Sequence, residues 1–102
     1  MNGKIQTILS GCTGFDWDKG NSKKNWIKHK VTPAECEQVF LNQPLMIKDD
    51  VQHFETERRF LTLGKTDKNR SLFIAFTLRN DSIRVISARD MSRKEREVYG
   101  QL

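Results

Sequence analysis

The sequence has no long apolar run, few cysteines and none of the common catalytic motifs, and each shortage excludes a class of protein. No segment approaches the roughly 20 consecutive apolar residues of a membrane-spanning helix, and residues 1–14 lack the apolar stretch of a signal peptide. The two cysteines, Cys12 and Cys36, lie outside any CxxC or Cys/His cluster, which argues against a disulfide framework. We therefore expect a cytoplasmic protein with reduced thiols and no membrane partner.

No phosphate-binding glycine-rich loop, Cys/His metal cluster or nucleophile elbow occurs in the chain, so the sequence predicts neither a cofactor nor a metal. Its 102 residues suit one domain, and 36% hydrophobic residues suffice for a core. Residues 1–14 are rich in Gly, Ser and Thr and are predicted to be a flexible or appended segment. Residues 15–102 are predicted to form the single domain.

Positive charge is the first feature that indicates a partner. The chain has 18 Lys and Arg against 13 Asp and Glu, a net charge of +5. Such an excess favours polyanions, although it also serves solubility alone. The charge forms two patches. The lysine-rich patch consists of Lys19, Lys23, Lys24, Lys28 and Lys30, and the arginine-rich patch of Arg84, Arg89, Arg93, Lys94 and Arg96.

Helix-capping signals and apolar alternation predict an α+β fold. Asp18 is a candidate N-cap for a helix over 19–29. Capping boxes that begin at Thr32 and Ser92 predict a second helix that ends at residue 40 and a short terminal helix that carries Tyr99. Between them, β-type segments cover 45–48, 58–63, 72–79 and 83–88. The architecture predicted is two helices, an antiparallel sheet of about four strands, and a C-terminal helix, with helices on one face and the other face left for a partner.

The pair Asn80-Asp81 predicts a two-residue hairpin, because both residue types tolerate left-handed backbone angles. Pairing of Arg79 with Ser82 then fixes the register. The predicted core-face pairs are Leu78–Ile83, Phe76–Val85 and Ile74–Ser87, and the predicted pairs on the opposite face are Thr77–Arg84 and Ala75–Ile86.

Arginines near the hairpin are candidates for binding phosphate. Arg84 is predicted on the face opposite the core. Arg89, five residues on, joins it only from the strand end or past a β-bulge. Arg58 and Arg59 alternate across their own strand, and the residues alone do not decide which of them shares the face of Arg84.

Few residues are candidates for proton transfer. If the polyanion is RNA, its cleavage without a metal needs a base, an acid and cations that stabilise the charged phosphorane. His29 titrates in the right range, but a histidine at a helix end also serves as a cap. Glu57 is either a base or an ion-pair partner of an arginine. Tyr99 either stacks on a base or anchors its helix.

Three segments together resemble the BrnT family of ribonuclease toxins. The first contains Phe15-Asp16-Trp17-Asp18 with Asn25, Lys28-His29 and Val31. The second contains Glu57-Arg58-Arg59-Phe60 with Gly64. The third contains Arg84-Val85-Ile86-Ser87-Ala88-Arg89 with Glu95-Arg96 and Tyr99. The resemblance covers roughly residues 15–99, and the chain departs from the family's usual Pro, Lys and Gly at Lys19, Asn21 and Lys30.

The resemblance implies a RelE-like fold and an RNA-handling set of residues. The catalytic candidates are His29, Arg59, Arg84 and Arg89, and the RNA-binding candidates are Lys23, Lys24, Lys28, Arg93 and Tyr99. Because family members usually have a lysine where this chain has Asn21, a phosphate contact from that position is in doubt, and Lys23 or Lys24 is a candidate substitute.

The leading hypothesis is an endoribonuclease toxin that attacks a phosphate with the neighbouring 2′-hydroxyl. The alternative is a non-catalytic, toxin-like module that holds an antitoxin. A general RNA-binding domain is a weaker third hypothesis, since no aromatic platform motif is present. The resemblance implies RNA as substrate and a BrnA-like, DNA-binding antitoxin as partner, with DNA contacted only through the antitoxin. A homodimer within that complex is compatible with it.

Overall fold

The computed structural model describes residues 9–51 and 57–102, apart from the side chain of Ile27. The elements along this part of the chain are β1 (Gly14–Phe15), α1 (Lys19–His29), α2 (Pro33–Leu41), β2 (Met46–Asp49), β3 (Arg59–Lys65), β4 (Ser71–Arg79), β5 (Ser82–Asp90) and α3 (Arg93–Tyr99). None of the helices within the described ranges is long and apolar enough to cross a membrane.

The strands form one mixed sheet in the order β1-β5-β4-β3-β2, which confirms the α+β class and corrects the predicted sheet of four antiparallel strands. β1 is the added strand and runs parallel to β5, pairing Gly14 with Ser82 and Phe15 with Ile83. Hydrogen bonds from Thr13 N to Asp81 O and from Asp16 N to Ile83 O extend this contact. Phe15-Asp16-Trp17 alternates like a short strand, but so short a segment does not show which strand it pairs with or in which direction, which explains the error.

The hairpin confirms the predicted register only as far as a β-bulge. Pairs Arg79–Ser82, Leu78–Ile83, Thr77–Arg84 and Phe76–Val85 are present. Ile86 is then an extra residue, because Ala75 pairs with Ser87 and Ile74 pairs with Ala88. The predicted pairs Ile74–Ser87 and Ala75–Ile86 are therefore wrong by one residue. A bulge reverses the side-chain alternation beyond it, so Arg89 lies opposite Phe73 on the same face as Arg84.

One face of the sheet packs against α1 and α2 and is called the core face. Its largest fully buried side chains include Phe60, Leu72, Ile74, Phe76 and Val85. The α2 helix approaches β3 most closely at Gly64, where a Cβ would lie 2.6 Å from Cγ1 of Val39. That position therefore has room for glycine alone unless the neighbouring side chain changes.

Polar side chains attach α1 to the sheet. Asn21 donates to the carbonyl of Val85 at 3.1 Å, and Oδ1 of Asn25 accepts from the amide of Ala88 at 3.0 Å. These backbone groups lie on the edge of β5 beyond the short β1 strand. The two asparagines thus form the hydrogen bonds that a neighbouring strand would otherwise make with the Val85 carbonyl and the Ala88 amide. These two backbone groups lie on either side of the bulge.

The predicted caps are confirmed. Asp18, Thr32 and Ser92 each form a capping box at the start of their helix. The first helix ends at His29 and is followed by the C-cap residue Lys30, which adopts left-handed angles (φ 56°, ψ 41°).

Residues 1–8 lie outside the described part of the chain, and the predicted domain boundary at residue 15 stays a prediction. Leu9 and Cys12 pack against the core cluster. One expectation about the sheet changes: the face opposite the core face is not left entirely open, because α3 lies over part of it. The Tyr99 hydroxyl donates to the carbonyl of Pro44 at 2.6 Å and fixes the end of α3 beside β2.

Candidate active site

The face of the sheet opposite the core carries a row of two arginines separated by a threonine. Arg59 on β3 pairs with Thr77 on β4, which pairs with Arg84 on β5. Strands lie about 4.8 Å apart, so the two arginine Cα atoms are roughly 10 Å apart, within mutual reach of their side chains. Thr77 is 2% exposed and donates from its hydroxyl to the Arg58 carbonyl at 2.7 Å. We call this surface, defined by Arg59, Thr77 and Arg84, the arginine face.

Two carboxylates hold Arg84 in place. Its guanidinium lies 2.8 Å from Asp18 and 3.4 Å from Asp16. Asp18 also caps α1 by accepting from the Asn21 amide at 3.0 Å. This backbone hydrogen bond and the Arg84 guanidinium lower the pKa of Asp18. The start of α1 therefore fixes the position of an arginine on the arginine face.

Glu57 and Arg79 form a second pair beside this row. The guanidinium of Arg79 binds both carboxylate oxygens of Glu57 at 2.9 Å. The hydrogen bond from Arg79 lowers the pKa of Glu57, and the charge of Arg84 adds to the effect. The ion-pair alternative for Glu57 is thus what the structure contains, and its carboxylate lies within the field of the Arg84 cation.

Arg59 differs from the arginines around it. Within the described residues it forms no ion pair, and its Nε is buried without a hydrogen-bond partner. The neighbouring Arg58, on the other side of β3, is bound by Asp49 at 2.8 Å and lies over the Phe60 ring. Arg59, not Arg58, therefore shares a face with Arg84. Its guanidinium has an N–H group, at Nε, that is not used in a hydrogen bond.

Arg89 shares the face of Arg84 because of the bulge but lies further along the strand. Their partners on β4, Thr77 and Phe73, are four positions apart, a distance of about 13 Å. The Arg89 guanidinium lies 4.1 Å from the Phe73 ring and binds both oxygens of Glu95 at 2.8 and 3.0 Å. These contacts connect α3 to the sheet.

His29 lies at the opposite end of α1 from the residues that hold Arg84. Eleven helical residues span roughly 16 Å, so the structure does not bring the His29 imidazole to Arg84. The His29 carbonyl accepts from Arg70 at 3.1 Å. Arg70 also binds Asp90 and Glu35, which makes this end of α1 a structural junction.

The remaining candidates lie on the surface. The side chains of Lys23, Lys24 and Lys28 are exposed along α1. The side chain of Arg93 is 90% exposed, and its ion-pair contact within the described ranges is a long one, 3.7 Å to Glu97. Tyr99 supports the anchoring alternative, because its hydroxyl is engaged by Pro44 and burial raises its pKa.

The sequence predicts Thr77 beside Arg84, where it forms the floor between the arginines. It does not predict the role of two other residues, Asp16 and Asp18, which bind Arg84. The signal for the aspartates was present in the Phe15–Asp18 motif, since a strand there places Asp16 beside β5. Two residues of pairing were too few to predict it.

The fold and the site define a small basic α+β domain with arginines on the face of its sheet opposite the core. Comparison with known protein families identifies the family of this domain. Residues 17–95 match the family described as ribonuclease toxin, BrnT, of type II toxin–antitoxin system, and the chain belongs to this family. No curated protein matches the chain. Membership of a type II toxin family implies RNA as the substrate and a protein antitoxin as the partner.

Proposed function

We propose that this chain is an endoribonuclease that cleaves RNA without a metal ion and is neutralised by a cognate antitoxin. The observation that carries the proposal is the row of Arg59, Thr77 and Arg84 within the part of the chain that matches the toxin family. Arginine binds phosphate through a planar fork of donors, and two forks on adjoining strands suit the oxygens of one phosphate.

The reaction proposed is attack by the ribose 2′-oxygen on the adjacent phosphorus. The bond from phosphorus to the 5′-oxygen breaks, and a cyclic phosphate remains. Arg59 and Arg84 stabilise the charge that develops on the phosphorane oxygens. The carboxylate of Glu57, which is bound by Arg79 and kept ionised by the charges of Arg79 and Arg84, accepts the 2′-hydroxyl proton, and water protonates the leaving oxygen.

Within this scheme His29 contacts RNA away from the scissile phosphate, because it lies at the far end of α1, a helix roughly 16 Å long, from the residues that hold Arg84. We assign the same binding role to Lys23, Lys24, Lys28 and, at the other end of the sheet, Arg93. Arg89 contributes by holding α3 through Glu95, and Tyr99 contributes by anchoring that helix.

The test is cleavage of a synthetic RNA by the purified protein in the presence of a chelator. Loss of one preorganised cation ordinarily costs about 10²- to 10³-fold in rate, and we expect a loss of that size for Arg59→Ala and for Arg84→Ala. Lys68→Ala is the control, since that side chain lies in an exposed turn and has no assigned contact with RNA. Equal cleavage by wild type and Arg59→Ala would refute the assigned site, and dependence on added metal would refute the metal-free reaction.

One observation favours a second function, that of a non-catalytic module. Arg84 is already bound by Asp16 and Asp18, and Arg89 by Glu95. A phosphate must compete with these carboxylates. If the purified protein binds RNA and antitoxin but releases no cleavage product at any enzyme-to-RNA ratio, this second function is the correct one.

The antitoxin is proposed to be a BrnA-like protein that covers the arginine face with an acidic segment and links the complex to DNA. Charge complementarity supports this, because Arg59 lacks an ionic partner among the described residues. An adjoining groove of about 350 Å³ has an apolar floor that includes Leu61, Phe73 and Val98, with Lys48 and Lys94 beside it. Arg59→Ala should weaken antitoxin binding, whereas Lys68→Ala, in an exposed turn, should not.

A further inference from the structure

The outward side of α1 carries a continuous stripe of three lysines and a tryptophan. Lys19, Lys23 and Trp26 follow one another at intervals of four and three residues, which places them side by side along one face of the helix. Lys30, the C-cap residue just after the helix, continues the row because its side chain lies over the Trp26 ring. We call this surface the lysine stripe. The opposite side of α1 contains Asn21 and Asn25, which attach the helix to β5.

Trp26 is 48% exposed. Its described contact is with Lys30, whose Nζ lies 5.2 Å from the centre of the indole ring. The other tryptophan, Trp17, has a structural place instead: it packs against the core and donates from its indole nitrogen to Glu37 at 2.8 Å. The indole of Trp26 is half exposed, with Lys23 before it and Lys30 after it along the stripe. This arrangement suits a flat, apolar ligand that carries negative charge on both sides.

We propose that the lysine stripe binds single-stranded RNA, with a base stacked on Trp26 and the flanking phosphates on Lys19, Lys23 and Lys30. Residues 19–30 contain no Asp or Glu, so nothing on this helix opposes a polyanion. Stacking on an aromatic ring together with a cationic track is how proteins hold single strands without reading their sequence. An acidic protein segment would satisfy the lysines but would leave the indole unstacked, which makes RNA the better match.

The lysine stripe starts next to a residue that contacts the arginine face. Its first lysine follows Asp18, the ligand of Arg84, and the stripe extends roughly 16 Å along α1. The inference rests on the proposed function in taking RNA as the ligand, but it concerns binding alone. A strand cleaved at the arginine face would continue along the stripe for a few nucleotides.

Binding is measured with an RNA decamer in which every 2′-hydroxyl is methylated, since such a strand cannot be cleaved by 2′-attack. Trp17→Phe leaves Trp26 as the only tryptophan, and the wild-type chain is titrated in parallel. We expect RNA to quench Trp26 fluorescence. Stacking on an aromatic side chain contributes enough that Trp26→Ala should weaken binding roughly 5- to 150-fold, while Trp26→Phe should retain most of the affinity.

Salt titration tests the lysines separately. Each phosphate contact on a single strand adds about 0.7 to the slope of log K against log salt. Lys19→Ala with Lys23→Ala should therefore lower the slope by about 1.4, and the control Lys68→Ala should leave it unchanged. Unaltered affinity of Trp26→Ala, or quenching by polyglutamate but not by RNA, would overturn the proposal. Absence of cleavage with natural RNA would instead count against the catalytic function and leave this binding intact.

Discussion

Asn25 is the residue whose replacement tests most directly how the sheet edge is held. It is 2% exposed. Its Oδ1 accepts from the Ala88 amide at 3.0 Å, and its Nδ2 donates to the Asn21 carbonyl at 2.9 Å. In Asn25→Ala the amide of Ala88, a fully buried residue, loses its partner next to the bulge.

The expected cost of Asn25→Ala follows from that one amide. A buried donor without a partner costs about 1–3 kcal/mol. Alanine returns up to roughly 0.7 kcal/mol through its higher helix propensity. A net loss of about 1.5 kcal/mol should lower Tm by roughly 6–12 °C in a domain of this size. Because the bulge places Arg84 and Arg89 on one face, cleavage should also fall.

The assay is urea unfolding followed by circular dichroism, combined with hydrogen exchange at the Ala88 amide. Exchange there should accelerate in Asn25→Ala more than at amides in the centre of β4. Lys24→Ala is the matched control on the same helix, and as an exposed substitution it should change stability by less than about 0.5 kcal/mol. If Asn25→Ala is as stable as this control and Ala88 stays protected, the asparagine does not satisfy the strand edge.

Three further outcomes follow from single positions. Gly64→Ala should cost about 1–3 kcal/mol in urea unfolding because its Cβ meets Val39 at 2.6 Å, and Val39→Ala should reduce that cost in a double-mutant cycle. Lys30→Gly should raise the free energy of unfolding by up to about 1 kcal/mol, because lysine is strained at φ 56°; an unchanged value would contradict the strain. The third outcome concerns the pH–rate profile. Arg79 lowers the pKa of Glu57 below the ordinary glutamate pKa of 4.5, so the proposed base stays ionised in mildly acidic solution. Activity should therefore be level from pH 8 to 5 and fall only as pH drops through that lowered pKa. A fall near pH 6.5 would point to a histidine base instead.

Local chemistry made the helices and the hairpin predictable. Each helix begins at a side chain that accepts from its own first turn, as at Thr32 with Glu35, and such a signal needs only neighbouring residues. The Asn80-Asp81 turn likewise fixed the first four pairs of the hairpin. The bulge at Ile86 was not predictable, because Asn21 and Asn25, over 60 residues away, bond the backbone around it.

In the candidate site, too, features set by neighbouring residues were predictable and features set by distant contacts were not. Alternation placed Arg84 opposite the core, and the pairing of β3 with β4 placed Arg59 beside it. Sequence could not show that His29 lies at the far end of α1 from Arg84, because that separation depends on how the helix lies along β5. It also could not show that Asp16 returns along β5 to bind Arg84, since only a two-residue strand brings it there.

The arrangement of ion pairs changes where the net charge of +5 is effective. Ion pairs within the described residues engage Arg58, Arg70, Arg79, Arg84, Arg89 and Arg93. Three of the five residues of the arginine-rich patch, Arg84, Arg89 and Arg93, are therefore paired with carboxylates, and the surplus among the described residues lies on the lysines, Arg59 and Arg96. Counterion release scales with the phosphates that a protein neutralises, so the salt dependence of RNA binding should come from α1. The arginine face then acts at short range, by exchanging the carboxylates around Arg84 for a phosphate.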